Sequence, residues 1–172
     1  MNAKELEMLV ERYRLGESEL FDEIYYQTQK AVYLSISTII KDKNTIEDLM
    51  QESYIKAINN LDSYKKGTNF QAWLCTIARN HTINFYNRKK KETLVDSIED
   101  VYLFTTEDNR DSLLNKALKI LDGNEKEIII YHIILNFKFK DISEILNLPL
   151  STVFFVYKKA LAKIKKELYH ES

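Results

Sequence analysis

Residues 140–169 read KDISEILNLPLSTVFFVYKKALAKIKKELY and predict the fold of the C-terminal part of the chain. A short helix over 140–146 is followed by a tight turn over 147–150 and a longer helix over 152–169, with Ser151 as its N-cap. The predicted apolar face of the longer helix consists of Val153, Tyr157, Leu161, Ile164 and Leu168. Lysines lie off this face, where they would neutralise phosphates. The layout is that of a helix-turn-helix and favours DNA binding.

The composition of the whole chain of 172 residues also favours helices. Only 3 Gly and 1 Pro are present, too few for the many tight turns of an all-β fold. No apolar stretch approaches the roughly 20 residues that a membrane-spanning helix needs. The N-terminus, MNAKELEMLVERYR, is charged and unlike a signal peptide. We therefore expect an all-α, cytoplasmic protein without membrane insertion.

Apolar residues at helical spacing predict six helices before the helix-turn-helix. They cover 2–15, 19–40, 46–60, 70–90, 112–121 and 125–136. The predicted N-terminal caps are Ser18, Asn124 and a capping box from Thr45 to Asp48. Residues 92–111 are acidic and lack a sustained period, which is typical of a linker. The sequence thus predicts two small helical domains, residues 1–91 and 112–172, the second a four-helix domain that contains the helix-turn-helix.

Charge is segregated along the chain, although the formal net charge is only −1. Residues 1–53 carry 6 basic and 11 acidic side chains, whereas residues 54–91 carry 8 basic side chains and 1 acidic one. The acidic segment 92–111 precedes a C-terminal part with 10 basic and 7 acidic side chains. Such alternation allows one surface to face a polyanion and another to face a basic protein.

Aromatic, polar and basic side chains are interleaved between residues 64 and 91. Aromatic faces stack on unpaired bases, and cations bind the nucleic-acid backbone. Trp73 and Ile77 fit core positions at helical spacing. Tyr64, Asn69 and Asn80 are the better candidates for base contacts.

No pattern in the sequence is typical of a catalytic or metal site. His81, His132 and His170 are scattered without metal-ligand spacing, and no Gly-rich loop is present to hold a nucleotide. Cys75 lies in the middle of a predicted helix beside Trp73, which favours burial over a nucleophilic role. We therefore expect a protein that is not an enzyme and holds neither a metal nor a cofactor.

Three stretches between residues 15 and 88 resemble, in order and spacing, the bacterial sigma factors of the extracytoplasmic-function (ECF) type of the sigma-70 family. LGESELFDEIY over 15–25 is similar to the family pattern G-D-x-x-A-F-x-x-L-Y, and EDLMQESY over 47–54 is similar to A-E-D-L-V-Q-E-x-F. The segment 70–88, FQAWLCTIARNHTINFYNR, resembles F-x-x-W-L-x-x-I-A-R-N-x-x-I-D-x-x-R. The helix-turn-helix occupies the position of the second domain of the family.

The resemblance implies a subunit that binds core RNA polymerase and directs promoter recognition, melting and transcription initiation. Docking on the clamp helices of the largest polymerase subunit is implied for Asp48, Leu49, Met50, Gln51 and Glu52. Binding of the opened −10 element is implied for Tyr64, Lys65, Lys66, Asn69, Phe70, Arg79, Asn80, Arg88, Lys89 and Lys90. Contact with the −35 element is implied for Ser151, Thr152, Phe154, Phe155, Lys158, Lys159 and Lys163. The family's second domain also contacts the β-subunit flap, and an anti-sigma factor is a common partner.

The predicted recognition helix departs from the family pattern at its start. Phe154, Phe155 and Val156 occupy positions where the family usually has Lys, Ser and Arg. These side chains cannot hydrogen-bond base edges and contact thymine methyl groups at most. Two interpretations remain open: weak apolar contact with the −35 element, or a protein-binding face. The second interpretation fits an alternative function, a sigma-like accessory protein or helix-turn-helix regulator that contacts polymerase or DNA without initiating transcription by itself.

Overall fold

The computed structural model describes residues 1–92 and 109–170, in which every regular element is a helix. This confirms the all-α prediction. The chain divides into two compact units, residues 1–93 and 94–172. Most of the predicted linker, 92–111, lies outside the described residues.

The first unit contains four helices. They are α1 (Ala3–Arg14), α2 (Phe21–Ser37), α3 (Lys43–Asn59) and α4 (Phe70–Glu92). Short 3₁₀ turns, Ser18–Leu20 and Leu61–Ser63, precede α2 and follow α3. The helices lie where the apolar spacing predicts them, because one stripe of each is buried against the others.

Two of the predicted caps in this unit are wrong. Helix α3 begins three residues before the predicted start, because Asp42 is its N-cap: one carboxylate oxygen accepts hydrogen bonds from the backbone N–H and the hydroxyl of Thr45, at 3.0 and 2.7 Å. These bonds lower the pKa of Asp42. Ser18 lies inside the 3₁₀ turn, so it does not cap α2.

Helix α2 runs through the centre of the first unit and packs on α3 and α4. Val32 and Ile36 are fully buried there, against residues such as Leu49 and Leu74. Polar residues on this helix are buried with their hydroxyls bonded; Ser35, for example, donates to the carbonyl of Ala31 at 2.9 Å. The helix thus fixes the positions of α3 and α4, which carry the predicted binding residues.

Over residues 109–170, the second unit contains four helices and one turn of π-helix. They are α5 (Asn109–Lys119), α6 (Gly123–Ile129), the π-helical turn Ile130–Ile134, α7 (Phe139–Leu146) and α8 (Leu150–His170). Asp122, not the predicted Asn124, is the N-cap of α6, and its backbone N–H donates to the Glu125 carboxylate at 3.1 Å. Helix α8 already begins at Leu150, so Ser151 lies within its first turn and is not its cap.

The buried stripe of α8 differs from the predicted one. Val153 and Ala160 are fully buried, whereas Leu161 and Leu168 are 38% and 48% exposed. Leu161 follows Ala160 directly, and successive helical residues are about 100° apart around the helix axis. Helix α8 therefore packs on α6 and α7 through the smaller side chain of Ala160, and Leu161 lies towards solvent.

Within residues 1–92 and 109–170, no single helix is long and apolar enough to cross a membrane. Helices α7 and α8 meet the length and composition criteria only as a pair, and they are bent by 105° at the turn between them.

Candidate functional site

Helix α3 presents a polar, acidic face to solvent. Asp48, Gln51 and Glu52 are exposed on it, whereas Leu49 and Met50 are only 1% and 8% exposed and belong to the core. The i, i+3 and i, i+4 spacing of the three polar residues places them side by side on the helix surface. Of the five residues predicted to dock on polymerase, these three are therefore available for contact, and the two apolar ones hold α3 in place.

Glu52 also connects this acidic face to helix α4. Its carboxylate lies 2.6 Å from Nε2 of His81, whose side chain is only 10% exposed. His81 directly follows Asn80, which is exposed. This contact spans 29 positions and leaves no local pattern, so in the sequence His81 is only one of three scattered histidines.

Tyr64 and Phe70, predicted to contact the −10 element, are instead buried, with 3% and 8% exposure. Their rings meet edge to face with centroids 5.1 Å apart, and Trp73 packs on both. The Tyr64 hydroxyl donates to the carbonyl of Thr68 at 2.8 Å. Burial, together with the nearby Glu7 carboxylate, raises the pKa of Tyr64 to about 12. The two buried rings pack under the loop between α3 and α4, so neither has a free face for stacking on a base.

The remaining predicted −10 residues lie at or near the surface. Lys65, Lys66 and Asn80 are exposed, and so are Arg88, Lys89 and Lys90 in the last turns of α4. Asn69 accepts a hydrogen bond from the backbone N–H of Ala72 at 3.1 Å and so satisfies the start of α4. Arg79 is partly buried. The loop and α4 together therefore display a basic, amide-bearing surface.

The start of α8 presents an exposed aromatic surface. Phe154 and Phe155 are 45% and 68% exposed. Phe154 meets Phe139 edge to face at 5.7 Å, and Nζ of Lys158 lies 4.7 Å from the centre of the Phe154 ring. Ser151 is exposed on the same turn and Thr152 is partly buried. This surface offers apolar faces and one adjacent cation, with few hydrogen-bonding groups.

Two of the lysines predicted to contact DNA are engaged within the second unit. Lys163 donates to Glu125 at 2.9 Å and to Asp122 at 3.3 Å, and Lys159 lies 3.5 Å from Glu125. Glu125 is 5% exposed. Burial alone would raise its pKa, but the bond from Lys163 and the charges of both lysines hold the pKa below its usual value. The sequence alone does not indicate this role of Glu125, because the two lysines that bind it lie more than 30 positions away.

Cys75 is fully buried, as the sequence predicts, and burial raises the pKa of its thiol to about 12. In the part of the chain that the structure describes, no group of three or more His, Cys, Asp or Glu side chains is arranged to hold a metal ion.

Comparison with known proteins shows what this chain is similar to. The family model of sigma-70 region 2 matches residues 24–92, which contain most of α2 and all of α3 and α4. The ECF RNA polymerase sigma factor SigX of Bacillus subtilis is 32% identical over 111 residues, which cover 64% of this chain and 56% of SigX. The ECF sigma factor SigM of the same organism is 26% identical over 151 residues, which cover 84% of this chain and 92% of SigM. The chain is therefore similar to the ECF sigma factors, and residues 24–92 match their region 2.

Two solved structures share the fold of this chain. CnrH, in complex with the cytosolic domain of CnrY, has a TM-score of 0.68 at 18% identity and covers 96% of this chain and 98% of its own. RpoE of Bartonella quintana, in complex with the anti-sigma factor NepR, has a TM-score of 0.69 at 22% identity and covers 87% of this chain and 96% of its own.

Proposed function

We propose that this chain is an ECF sigma factor, which binds core RNA polymerase, directs it to promoters and opens the −10 element. The observation that carries the proposal is the pair of surfaces on the first unit: an acidic face on α3 and a basic, amide-bearing surface on the 61–69 loop and α4. A plain helix-turn-helix regulator needs neither surface. Residues 1–91 would act as the region 2-like domain, residues 112–172 as the region 4-like domain, and 92–111 as their linker.

The acidic face is the proposed polymerase-binding site. Asp48, Gln51 and Glu52 are exposed on a helix whose other side packs in the core, so binding them costs little backbone conformational entropy. Their charge complements the basic clamp helices of the largest polymerase subunit. Complementary charge raises the association rate and rejects wrong partners.

The loop and α4 are the proposed −10 binding surface. Asn80 would hold an extruded base by hydrogen bonds, while Lys65 and Lys66 bind the strand next to it. Arg88, Lys89 and Lys90 extend this positive surface along the end of α4. Extruding a base costs a few kcal/mol, which contacts to the flipped base and the backbone offset. The polymerase performs the chemistry, so the sigma factor needs no catalytic residue.

The second unit would lie on the −35 element and the β-subunit flap. Among the predicted lysines, Lys158 is exposed beside Phe154, whereas Lys159 and Lys163 share the Glu125 carboxylate. Phe154 and Phe155 would contact thymine methyl groups, so this helix would read sequence weakly. A further proposed partner is an anti-sigma factor, since the related RpoE is bound by one.

The first test is the double variant Asp48→Ala with Gln51→Ala. Its affinity for core polymerase, measured by fluorescence titration, should fall by at least about tenfold, since two exposed polar contacts of about 1 kcal/mol are lost. Asp22→Ala, which removes an exposed carboxylate from α2, serves as the control for net charge and should bind normally. Unchanged affinity of the double variant would refute the docking site.

The second test addresses the −10 surface through Asn80→Ala. The variant should form fewer open complexes while its holoenzyme binds duplex promoter normally, because the base contact exists only after melting. Asn59→Ala, an exposed asparagine at the end of α3, is the matched control. An equal loss of both steps would contradict the base-capture role.

A second candidate function rests on the exposed rings of Phe154 and Phe155. They favour a sigma-like accessory protein whose α8 binds a protein partner. Phe154→Lys distinguishes the two functions: stronger non-specific DNA binding would place α8 against duplex. Unchanged DNA binding together with loss of a protein partner would assign the surface to protein contact.

A further inference from the structure

Helix α1 carries a polar stripe beside its buried one. Leu6 and Val10 are 4% and 1% exposed and anchor the helix in the core. Glu7, Glu11 and Arg14 follow one another at four- and three-residue steps, which places them along one adjacent face. This face contacts the loop over residues 61–69, about 50 positions later in the chain.

Arg14 binds the first half of the loop. Its Nη2 donates to the carbonyl of Leu61 at 2.5 Å and to the carbonyl of Tyr64 at 3.2 Å, and its Nη1 donates to Glu11 at 3.2 Å. A planar guanidinium with several donors is suited to joining two carbonyls in a fixed geometry. Arg14 therefore fixes the spacing between the 3₁₀ turn and the start of the lysine pair.

Glu7 binds the second half of the loop. Its carboxylate accepts a hydrogen bond from the backbone N–H of Gly67 and lies 3.5 Å from the hydroxyl of Tyr64. Gly67 has φ of +85°, a backbone conformation that favours glycine. Lys65 and Lys66 thus lie between the two attachment points, with both side chains in solvent.

We propose that Glu7 and Arg14 are positioning residues for strand capture: they hold the 61–69 loop in the conformation that presents Lys65 and Lys66 to the opened promoter. This inference rests on the proposed function. A loop that is already ordered does not lose conformational entropy when it binds the strand. Because Leu6 and Val10 anchor α1 independently, loss of the polar stripe leaves the fold intact and loosens only the loop.

The test uses the full-length sigma factor and pairs of variants at each position. Glu7→Ala removes the acceptor for the Gly67 N–H. Glu7→Gln retains an acceptor oxygen and should restore this hydrogen bond. Arg14→Met removes both bonds to the loop. The matched control is Arg12→Met, because Arg12 lies on the same helix and pairs with Glu17 away from the loop.

The first readout is hydrogen exchange at Gly67 in the free sigma factor, which requires no polymerase. Glu7→Ala should speed exchange there by roughly fivefold or more, the effect of one lost hydrogen bond, with core amides of α2 and α3 unchanged. The second readout is the rate of open-complex formation by the reconstituted holoenzyme. It should fall severalfold for Glu7→Ala and Arg14→Met, with unchanged affinity for core polymerase, and return to normal for Glu7→Gln.

Unchanged exchange at Gly67 in Glu7→Ala would overturn the inference, as would faster exchange with a normal opening rate. Failure of Glu7→Gln to restore both readouts would also overturn it. If the wild-type holoenzyme opens no promoter, the proposed function fails, and the strand-capture role fails with it; the exchange data would then separately show whether α1 holds the loop.

Discussion

A buried hydroxyl pair joins α2 to α3, and its two members should differ in their effect on stability. The hydroxyl of Thr28 lies 2.7 Å from that of Tyr54, and both side chains are at least 95% buried. Thr28 donates its single proton to the carbonyl of Ile24 at 2.7 Å, so Tyr54 is the donor within the pair. Burial holds the pKa of Tyr54 well above its usual value, so this proton stays in place.

The expected change in the free energy of unfolding depends on which of the two hydroxyls is left without a hydrogen-bond partner. Tyr54→Phe removes one hydrogen bond and leaves the Thr28 proton satisfied, so it should lower the free energy of unfolding by about 1 kcal/mol. Thr28→Val leaves the Tyr54 donor buried and unbonded, which should cost about 2 kcal/mol. The double variant, with no orphaned donor, should cost about 1 kcal/mol, less than the sum of the two single changes.

The assay is thermal unfolding followed by fluorescence of Trp73. It is the sole tryptophan of the chain and lies in the first unit, so it reports on that unit alone. Each kcal/mol should lower the midpoint by about 4–8 °C for a unit of this size. Tyr25→Phe, a partly exposed tyrosine beside Tyr54, is the control and should change the midpoint little. If Tyr54→Phe proved more destabilising than Thr28→Val, the assigned donor would be wrong.

Three further predictions follow from single groups. Cys75 should not react with a thiol reagent at pH 8 in the folded protein and should react on unfolding, because burial raises its pKa to about 12. The pKa of Asp42 is lowered from its usual 3.8, so its carboxylate stabilises the protein above that pH and loses this effect as the pH falls below it. The difference in free energy of unfolding between wild type and Asp42→Asn should therefore shrink on acidification from pH 6 to pH 3. Lys163→Met should destabilise the second unit more than Lys165→Met, measured by circular dichroism, because it removes a partner of the buried Glu125 carboxylate.

The sequence predicts the helices well because apolar residues at helical spacing form the face that is buried in the core. Cys75 and Leu74 lie at fully or almost fully buried positions of α4, within the predicted helix. The caps are harder, since neighbouring side chains offer the same chemistry. Asp42 and Thr45 both have oxygens suited to capping, and only the structure shows that Asp42 accepts from Thr45.

The roles of individual site residues are harder to predict, because burial depends on distant partners. Tyr64 stands beside two lysines, a pattern typical of base stacking, yet the carbonyl of Thr68 accepts its hydroxyl proton and allows its burial. The contacts of Arg14 with the loop and of Lys163 with Glu125 join residues about 40 to 50 positions apart. No local pattern records such contacts.

The most direct test of the central claim is run-off transcription with purified core polymerase on a library of genomic fragments. The account predicts discrete transcript start sites that depend on the added protein, with permanganate-reactive thymines just upstream of each start. Start sites identical to those of core polymerase alone, with no protein-dependent strand opening, would contradict it.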